Sequence, residues 1–344
     1  MRISQFINKY LYDENCGYYI NSSPIGPDND FITSPEISSV FGELIALYLL
    51  NIADEFNSIS LIEMGAGNGT LFFDILTVIN RLAGNNIDLA QKFLTKSDFH
   101  IVEISNNLTV IQQEKLKNFN VNWHKTYQDF LSKKKQNNKI FFICNELFDC
   151  FAIDQFVKTD IGWCQRLINV KDKKINFKLD NFDINIHNKI SNIIGPNDSS
   201  KAPISSIYEF SQFAYDFANE LFDSIVKYNG IVINIDYGYY DNEFYNSLQA
   251  VSNHKKINIS DILMLDNKCD ISAHVNFKMI DDIARSKNLQ SSFITQREFL
   301  ISLAIKTRMK QIPDSDQNAI KAINRLINKD EMGELFKVHL ISKI

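Results

Sequence analysis

The glycine-rich segment 61–71 (LIEMGAGNGTL) constrains this chain more than any other part of its sequence. Apolar residues run into Gly65, Gly67 and Gly69, and a helical pattern follows directly. Glycine permits positive φ and a close approach of the backbone to a ligand, and the start of a helix offers free N–H groups. The segment therefore predicts a ligand-binding loop between a buried strand and a helix, although an ordinary tight turn could have the same composition.

The spacing of the acid and the glycines indicates the kind of ligand. Dinucleotide-binding turns read G-x-G-x-x-G, whereas here the third glycine comes one residue early and Thr70 follows it, which disfavours a nicotinamide oxidoreductase. The form E-x-G-x-G-x-G resembles the turn that holds the methionine part of S-adenosylmethionine (SAM) in SAM-dependent methyltransferases. The candidate cofactor-binding residues of the turn are Glu63, Gly65, Ala66, Gly67, Asn68 and Gly69.

Strands alternate with helices through the first half of the chain. Apolar stretches at 58–65, 99–105, 121–126 and 139–149 are separated by helical patterns. This alternation predicts a Rossmann-like α/β fold, with a parallel sheet and helices on both of its faces. We expect one domain over residues 1–344, with the following parts: an N-terminal helical lid segment at 1–50, a SAM-binding half at 58–170, an insertion at 171–205 that adds to the lid, and a C-terminal half at 206–344 that completes the sheet.

The second half of the chain gives weaker signals. Residues 163–170 and 174–180 predict a β-hairpin that turns around 172–174, and 230–238 reads as another buried strand. The pattern at 298–310 predicts a single helix. The C-terminal half should therefore add strands and helices to the sheet.

An acidic residue closes the second predicted strand. Glu103 ends the run HIVEIS, and a carboxylate at this position of an α/β sheet can accept hydrogen bonds from the two hydroxyls of a ribose. A carboxylate on the surface at a strand end would have the same sequence. Beside the glycine turn, we favour the ribose role.

Polar residues also close the fourth strand, at Asn145, Glu146 and Asp149. Open α/β sheets bind ligands at the carboxyl ends of their strands, so these three residues are candidates for the catalytic site. Two carboxylates three residues apart could share one face of a helical turn and hold a cationic substrate nitrogen. The alternative is a plain helix start, with Asn145 as N-cap and the acids in the first turn.

Composition excludes several classes of partner. The net charge of −5 and the pI near 5.7 argue against a nucleic-acid-binding face. The five cysteines and six histidines show no metal-ligand spacing, and no apolar run is long enough to span a membrane. The N-terminus lacks the pattern of a signal or transit peptide, so we expect a cytoplasmic, bacterial-type chain, while the oligomeric state is left open.

Several blocks in a fixed order make the chain resemble the MidA family of methyltransferases over nearly its whole length. One block includes Thr33, Ser34 and Pro35, which alone would suggest only a capped helix start. The blocks that carry the resemblance are NDFITSPEISSVFGEL at 29–44, EMGAGNGT at 63–70, CNELFDC at 144–150, IDYG at 235–238, QAVSNH at 249–254, DISAHVNF at 270–277 and TQREFL at 295–300.

The resemblance implies SAM as cofactor, with Thr33, Ser34 and Pro35 added to the residues that bind it. It also implies a protein substrate, with arginine methylation of a respiratory complex I subunit as the activity of the mitochondrial branch. Asn29, Ala152 and Asp154 depart from the family pattern on the side of the substrate. A catalytically silent SAM-binding assembly factor and a small-molecule methyltransferase of the same fold are the alternatives.

Overall fold

The computed structural model describes residues 1–15, 17–21, 33–241, 244–252, 255–264 and 269–343. Contacts between Cα atoms divide the chain into two compact units. The first unit comprises Met1–Pro24, Phe148–Glu220 and Gly238–Ile283. The second comprises Ile25–Leu147, Leu221–Tyr237 and Ala284–Ile344. In the part of the chain that the structure describes, no helix has the length and apolar character needed to cross a membrane.

The elements follow in chain order. The strands are β1 Ile59–Met64, β2 Ser97–Val102, β3 Val121–His124, β4 Lys139–Asn145, β5 Asp154–Thr159, β6 Gly162–Lys171, β7 Lys174–Leu179, β8 Ile207–Phe210, β9 Gly230–Tyr239, β10 Gln249–Ser252, β11 Lys255–Ile257, β12 Asp270–Ser272, β13 Val275–Asn276, β14 Gln290–Thr295 and β15 Phe336–Lys343. The helices are α1 Ile3–Tyr12, α2 Tyr18–Asn21, α3 Ser34–Ile37, α4 Ser39–Ala53, α5 Thr70–Gly84, α6 Asp88–Lys96, α7 Asn106–Lys115, α8 Tyr127–Lys133, α9 Ile184–Ile194, α10 Pro196–Lys201, α11 Gln212–Tyr228, α12 Phe277–Ser286, α13 Gln296–Ser302, α14 Ile305–Met309 and α15 Gln317–Ile327.

A mainly parallel sheet forms the centre of the second unit, and its strand order is β14-β15-β9-β4-β1-β2-β3. The neighbours from β9 to β3 pair in parallel, whereas β15 runs antiparallel to both β9 and β14. Every residue of β1 is buried, as expected for a strand that is covered by helices on both faces. The α/β fold that the alternating pattern predicted is confirmed.

The direction of the strand order reverses between β1 and β4. From β1 the chain proceeds outward through β2 and β3, and then β4 returns to the other side of β1. The register pairs Met64 of β1 with Val102 on one side and Cys144 on the other, so the three carboxyl ends lie level. Such a reversal leaves a crevice at the carboxyl ends of the two diverging strands, and this is where open α/β sheets bind ligands.

The first unit is built mainly from antiparallel strands in the order β7-β6-β5-β8. The predicted β-hairpin is confirmed as β6 and β7, with Asp172 and Lys173 at positive φ in its turn. Helix α1 packs on this sheet through apolar residues and through the Ser4 hydroxyl, which donates a 2.8 Å hydrogen bond to Asp154. The departure at Asp154 therefore anchors α1 in this structure.

Two expectations about local structure are wrong. The helix predicted over 298–310 is broken at Ala304, where φ is +61°, so that α13 and α14 are separate. Thr33 precedes α3 without a side-chain capping bond, and the capping hydroxyl nearby is that of Ser38 at the start of α4. The alternative interpretation of Asn145 as a helix N-cap is also wrong, because Asn145 is the last residue of β4. Asn29 and His254, which belong to the resemblance, lie outside the described residues.

Candidate functional site

The glycine turn follows β1 at the level where β1, β2 and β4 end. Gly65, Gly67 and Gly69 all have positive φ, at 66°, 53° and 73°, and α5 begins at the next residue, Thr70. A Cβ atom at Gly65 would lie 2.9 Å from a methyl carbon of Leu147, whose side chain would have to shift. The turn therefore needs glycine for its backbone angles.

One pocket of the second unit opens beside this turn, and it combines three of the segments that the sequence singled out. These are the glycine turn, the end of β4 and the block at 33–36. The lining residues are Thr33, Pro35, Glu36, Glu63, Gly65, Ala66, Gly67, Asn68, Thr70, Leu71, Asn145 and Glu146. The structure thus brings together most of the residues proposed for cofactor binding and two of the three proposed for catalysis.

Two buried acceptor atoms in the pocket lining have no hydrogen-bond partner among the described residues. They are Oε2 of Glu63 and Oδ1 of Asn145, and their residues are only 3% and 9% exposed. A buried acceptor without a partner costs about 1–3 kcal/mol, so the site is suited to a ligand that donates hydrogen bonds. Burial, reinforced by the negative charge of Glu103, raises the pKa of Glu63 to about 8.

Two carboxylates hold the short helix α3 against the segment after β4 and against the start of α5. Glu146 accepts a hydrogen bond of 2.9 Å from the backbone N–H of Ser34, and Glu36 accepts one of 2.5 Å from the Thr70 hydroxyl. Lys115 also donates to that hydroxyl. Glu146 itself has φ of +50°, which is uncommon for a residue other than glycine and is found where surrounding structure enforces it. The block at 33–36 therefore lies against the glycine turn, as the lid hypothesis requires of this segment.

Glu103 lies next to this site but does not line the pocket itself. It is 5% exposed, and its carboxylate accepts hydrogen bonds from the backbone N–H of Ser105 (2.8 Å) and from the amide of Gln112 (3.0 Å). Burial raises the pKa of Glu103, and these donors oppose that rise. A carboxylate held in this way is not the exposed one that the alternative interpretation would require.

Asp149 was expected beside Glu146, but it belongs to the first unit. It is buried in a short 3₁₀ turn, Phe148–Cys150, where its carboxylate accepts a weak bond from the Cys150 thiol. Its backbone carbonyl accepts a hydrogen bond of 3.4 Å from Ala273. The helical turn that would place both carboxylates on one face does not form, so their action as a pair remains a prediction.

Five residues of the site were not identified as site residues from the sequence: Glu36, Thr70, Leu71, Gln112 and Lys115. Glu36 lies inside a recognised block, and Thr70 and Leu71 lie in the glycine-rich segment 61–71, where neighbouring residues were assigned instead. Gln112 had a signal of its own, because it lies midway between the buried Leu108 and Leu116 on one face of α7. A polar residue on such an apolar face is a candidate for a buried hydrogen-bonding role.

Comparison with known proteins agrees with the fold and with the glycine turn. A protein-family model described as "Putative S-adenosyl-L-methionine-dependent methyltransferase" matches residues 44–295. The proteins named protein arginine methyltransferase NDUFAF7, mitochondrial, are 27% identical in Xenopus tropicalis and 24% identical in Homo sapiens. Both alignments cover 97% of this chain, and they cover 80% and 78% of the respective relatives.

Two crystal structures of COG1565 superfamily proteins from Burkholderia thailandensis share the fold. One is bound to S-adenosyl-homocysteine, with a TM-score of 0.81 at 24% identity over 100% of this chain and 88% of the other. The second has a TM-score of 0.79 at 23% identity, over 100% and 87% of the two chains.

The sheet, the glycine turn and the family match define a SAM-dependent methyltransferase. The chain belongs to the MidA-like family of these enzymes, as its sequence blocks predicted. Its cofactor is SAM.

Proposed function

We propose that this methyltransferase modifies an arginine of a protein substrate, and that the pocket beside the glycine turn holds the cofactor. The observation that carries the cofactor assignment is the pair of buried acceptors, Glu63 Oε2 and Asn145 Oδ1, in the pocket lining. The methionine part of SAM bears an ammonium group that could donate to both.

The arginine assignment is supported by the names of the curated relatives and by the charge of the site. These relatives are named protein arginine methyltransferases and cover nearly all of this chain. Glu146 lines the pocket, and Asn145 lies beside it. A carboxylate here would attract a guanidinium group, which carries a positive charge at all physiological pH values. A respiratory complex I subunit is the acceptor that the MidA resemblance implies.

The chain's own residues would act mainly by positioning. Bound SAM supplies an electrophilic methyl group. Glu146 would hold the positive charge on the guanidinium nitrogens that do not react, so that the remaining nitrogen faces the methyl group. The block at 33–36, which Glu146 and Thr70 anchor, would exclude water from the pocket. The predicted pairing of Glu146 with Asp149 is part of the proposal and awaits the test below.

Incubation with methyl-labelled SAM and native cell extract tests the proposal. We expect label in protein, and hydrolysis of that protein should release labelled methylarginine. Label in small metabolites would instead indicate a small-molecule methyltransferase, and SAM binding without transfer would indicate a silent assembly factor. The Gly67→Val variant, whose side chain would enter the pocket, is the negative control.

The Glu146→Gln variant tests the role of the carboxylate. Glutamine keeps an acceptor for the Ser34 N–H but removes the charge. We expect unchanged SAM affinity and a fall in methyl transfer of at least about tenfold, a barrier increase of roughly 1.4 kcal/mol. Asp149→Asn should have a similar effect if the two carboxylates act together. Wild-type rates in Glu146→Gln would rule out the acidic clamp.

A further inference from the structure

The side chain of Gln112 connects the glycine turn to Glu103. It is fully buried on α7, and its amide nitrogen donates to the carbonyl of Gly67 (2.8 Å) and to Oε2 of Glu103 (3.0 Å). Its amide oxygen accepts a hydrogen bond of 3.1 Å from the indole Nε1 of Trp123. Each of these three hydrogen bonds joins Gln112 to another residue of the second unit.

The chemistry of the partners allows only one orientation of the amide. The Gly67 carbonyl and the Glu103 carboxylate accept hydrogen bonds, whereas the Trp123 indole N–H can only donate. A rotated amide would therefore oppose acceptor to acceptor at two contacts and donor to donor at the third. The aliphatic part of the Gln112 side chain also packs closely against Gly69. A Cβ atom on Gly69 would lie only 3.3 Å from Cγ of Gln112.

Gln112 also helps to determine the orientation of the Glu103 carboxylate. The carboxylate is held at one oxygen by the Ser105 N–H and at the other by the Gln112 amide. Two donors on different oxygens fix the plane of the carboxylate as well as its position. Acceptors that are fixed before a ligand arrives lose less conformational freedom on binding and discriminate more sharply between ligands.

We propose that Gln112 is a positioning residue that makes the site selective for a ligand with a vicinal diol, the ribose of the cofactor. It couples the turn assigned to the methionine part to the carboxylate assigned to the ribose. This inference rests on the proposed cofactor site, and it adds a residue and a specificity that the glycine turn alone does not provide. Truncation of the amide should therefore weaken recognition of the hydroxyl groups in particular.

The test compares S-adenosyl-homocysteine with its 2′,3′-dideoxy counterpart by titration calorimetry. Gln112→Met keeps the length of the side chain and its helix propensity but removes the amide. Gln113→Met is the matched control, because Gln113 is exposed on the same helix. The wild type should prefer the hydroxylated ligand by about tenfold or more, as expected for hydrogen bonds to a charged group.

We expect Gln112→Met to weaken binding of S-adenosyl-homocysteine by about tenfold and to reduce the preference between the ligands to within about threefold. Gln113→Met should match the wild type. If Gln112→Met weakens both ligands equally and keeps the preference, the residue is only structural and the inference is overturned. Unchanged affinity in this variant also overturns it.

Two further results separate the inference from its premise. A wild type that binds neither ligand would overturn the proposed cofactor site and this inference together, whereas a wild type that binds normally beside an unaffected Gln112→Met would overturn the inference alone. If Gln112→Met does not fold, Trp123→Phe removes the indole donor and keeps an aromatic ring. It should reduce the preference by about threefold, and an unchanged preference there would overturn the proposal.

Discussion

Glu63 is a buried carboxylic acid at the wall of the pocket, and its ionisation should be linked to cofactor binding. Its pKa is raised to about 8 by burial and by the charge of Glu103. The pKa of Glu63 in the folded protein therefore exceeds its value of about 4.3 in the unfolded chain. The contribution of neutral Glu63 to the free energy of unfolding is fully present below the unfolded-state pKa and is lost as the pH rises through about 8.

Proton release measures this linkage. Near pH 7 Glu63 carries a proton in the free protein, and a bound ammonium group favours the carboxylate, so binding of S-adenosyl-homocysteine should expel a proton. Affinity should rise between about pH 6 and pH 8 and then level off. Calorimetry at about pH 7 in buffers of small and large ionisation enthalpy detects the proton. Glu63→Gln should show no release, and equal heats for the wild type in both buffers would contradict the assignment.

At the scale of elements, the helix pair α4 and α5 depends on one glycine. Gly42 of α4 faces Asp74 of α5, and a Cβ atom on Gly42 would lie only 2.5 Å from Cβ of Asp74. Both atoms are attached directly to backbone, so the helices themselves would have to move apart. Since α5 starts at the glycine turn, this packing also supports the site.

Gly42→Ala should destabilise the protein by about 1–3 kcal/mol, the usual cost of overpacking. Gly84→Ala is the matched control, because no atom lies within 4 Å of a Cβ there and its φ is not positive. The control should be neutral or more stable by up to about 1 kcal/mol, since alanine restricts the unfolded chain. Denaturant titration measures both variants. Equal stability of Gly42→Ala and the wild type would show that α4 and α5 can separate at no cost.

Whether an element could be predicted depended on the strength of its local pattern. The strand β4 has a continuous apolar run and was predicted over 139–149; it begins at Lys139 as predicted but ends at Asn145, where the apolar run stops. Helix α6 was missed, because only Ala90 and Phe93 of its nine residues are buried and nine residues show little periodicity. The break at Ala304 has no glycine or proline to announce it.

At the scale of the whole molecule, all the residues that line the pocket belong to the second unit. Ligand binding should therefore stabilise that unit directly. With S-adenosyl-homocysteine at about 100 times its Kd, we expect about 2.7 kcal/mol of added stability. Hydrogen exchange should slow most in the glycine turn and in the block at 33–37, whereas the β6–β7 hairpin should change little.

The Gly67→Val protein, which should not bind, is the control for this experiment and should show no slowing. Protection that appeared mainly in the hairpin would contradict the location of the pocket. Protection in both the turn and the 33–37 block would support the role of that block as a cover.

The sequence by itself determined the α/β class, the glycine turn, the family and most residues of the pocket lining. These features are local, since a run of apolar residues or a spacing of glycines is visible within one segment. Only the tertiary structure decided that β15 inserts antiparallel between β9 and β14, that Glu146 holds Ser34, and that Gln112 joins Gly67 to Glu103. Each of these depends on groups far apart in the chain, and their pairing is determined by packing and hydrogen-bond geometry that no single segment encodes.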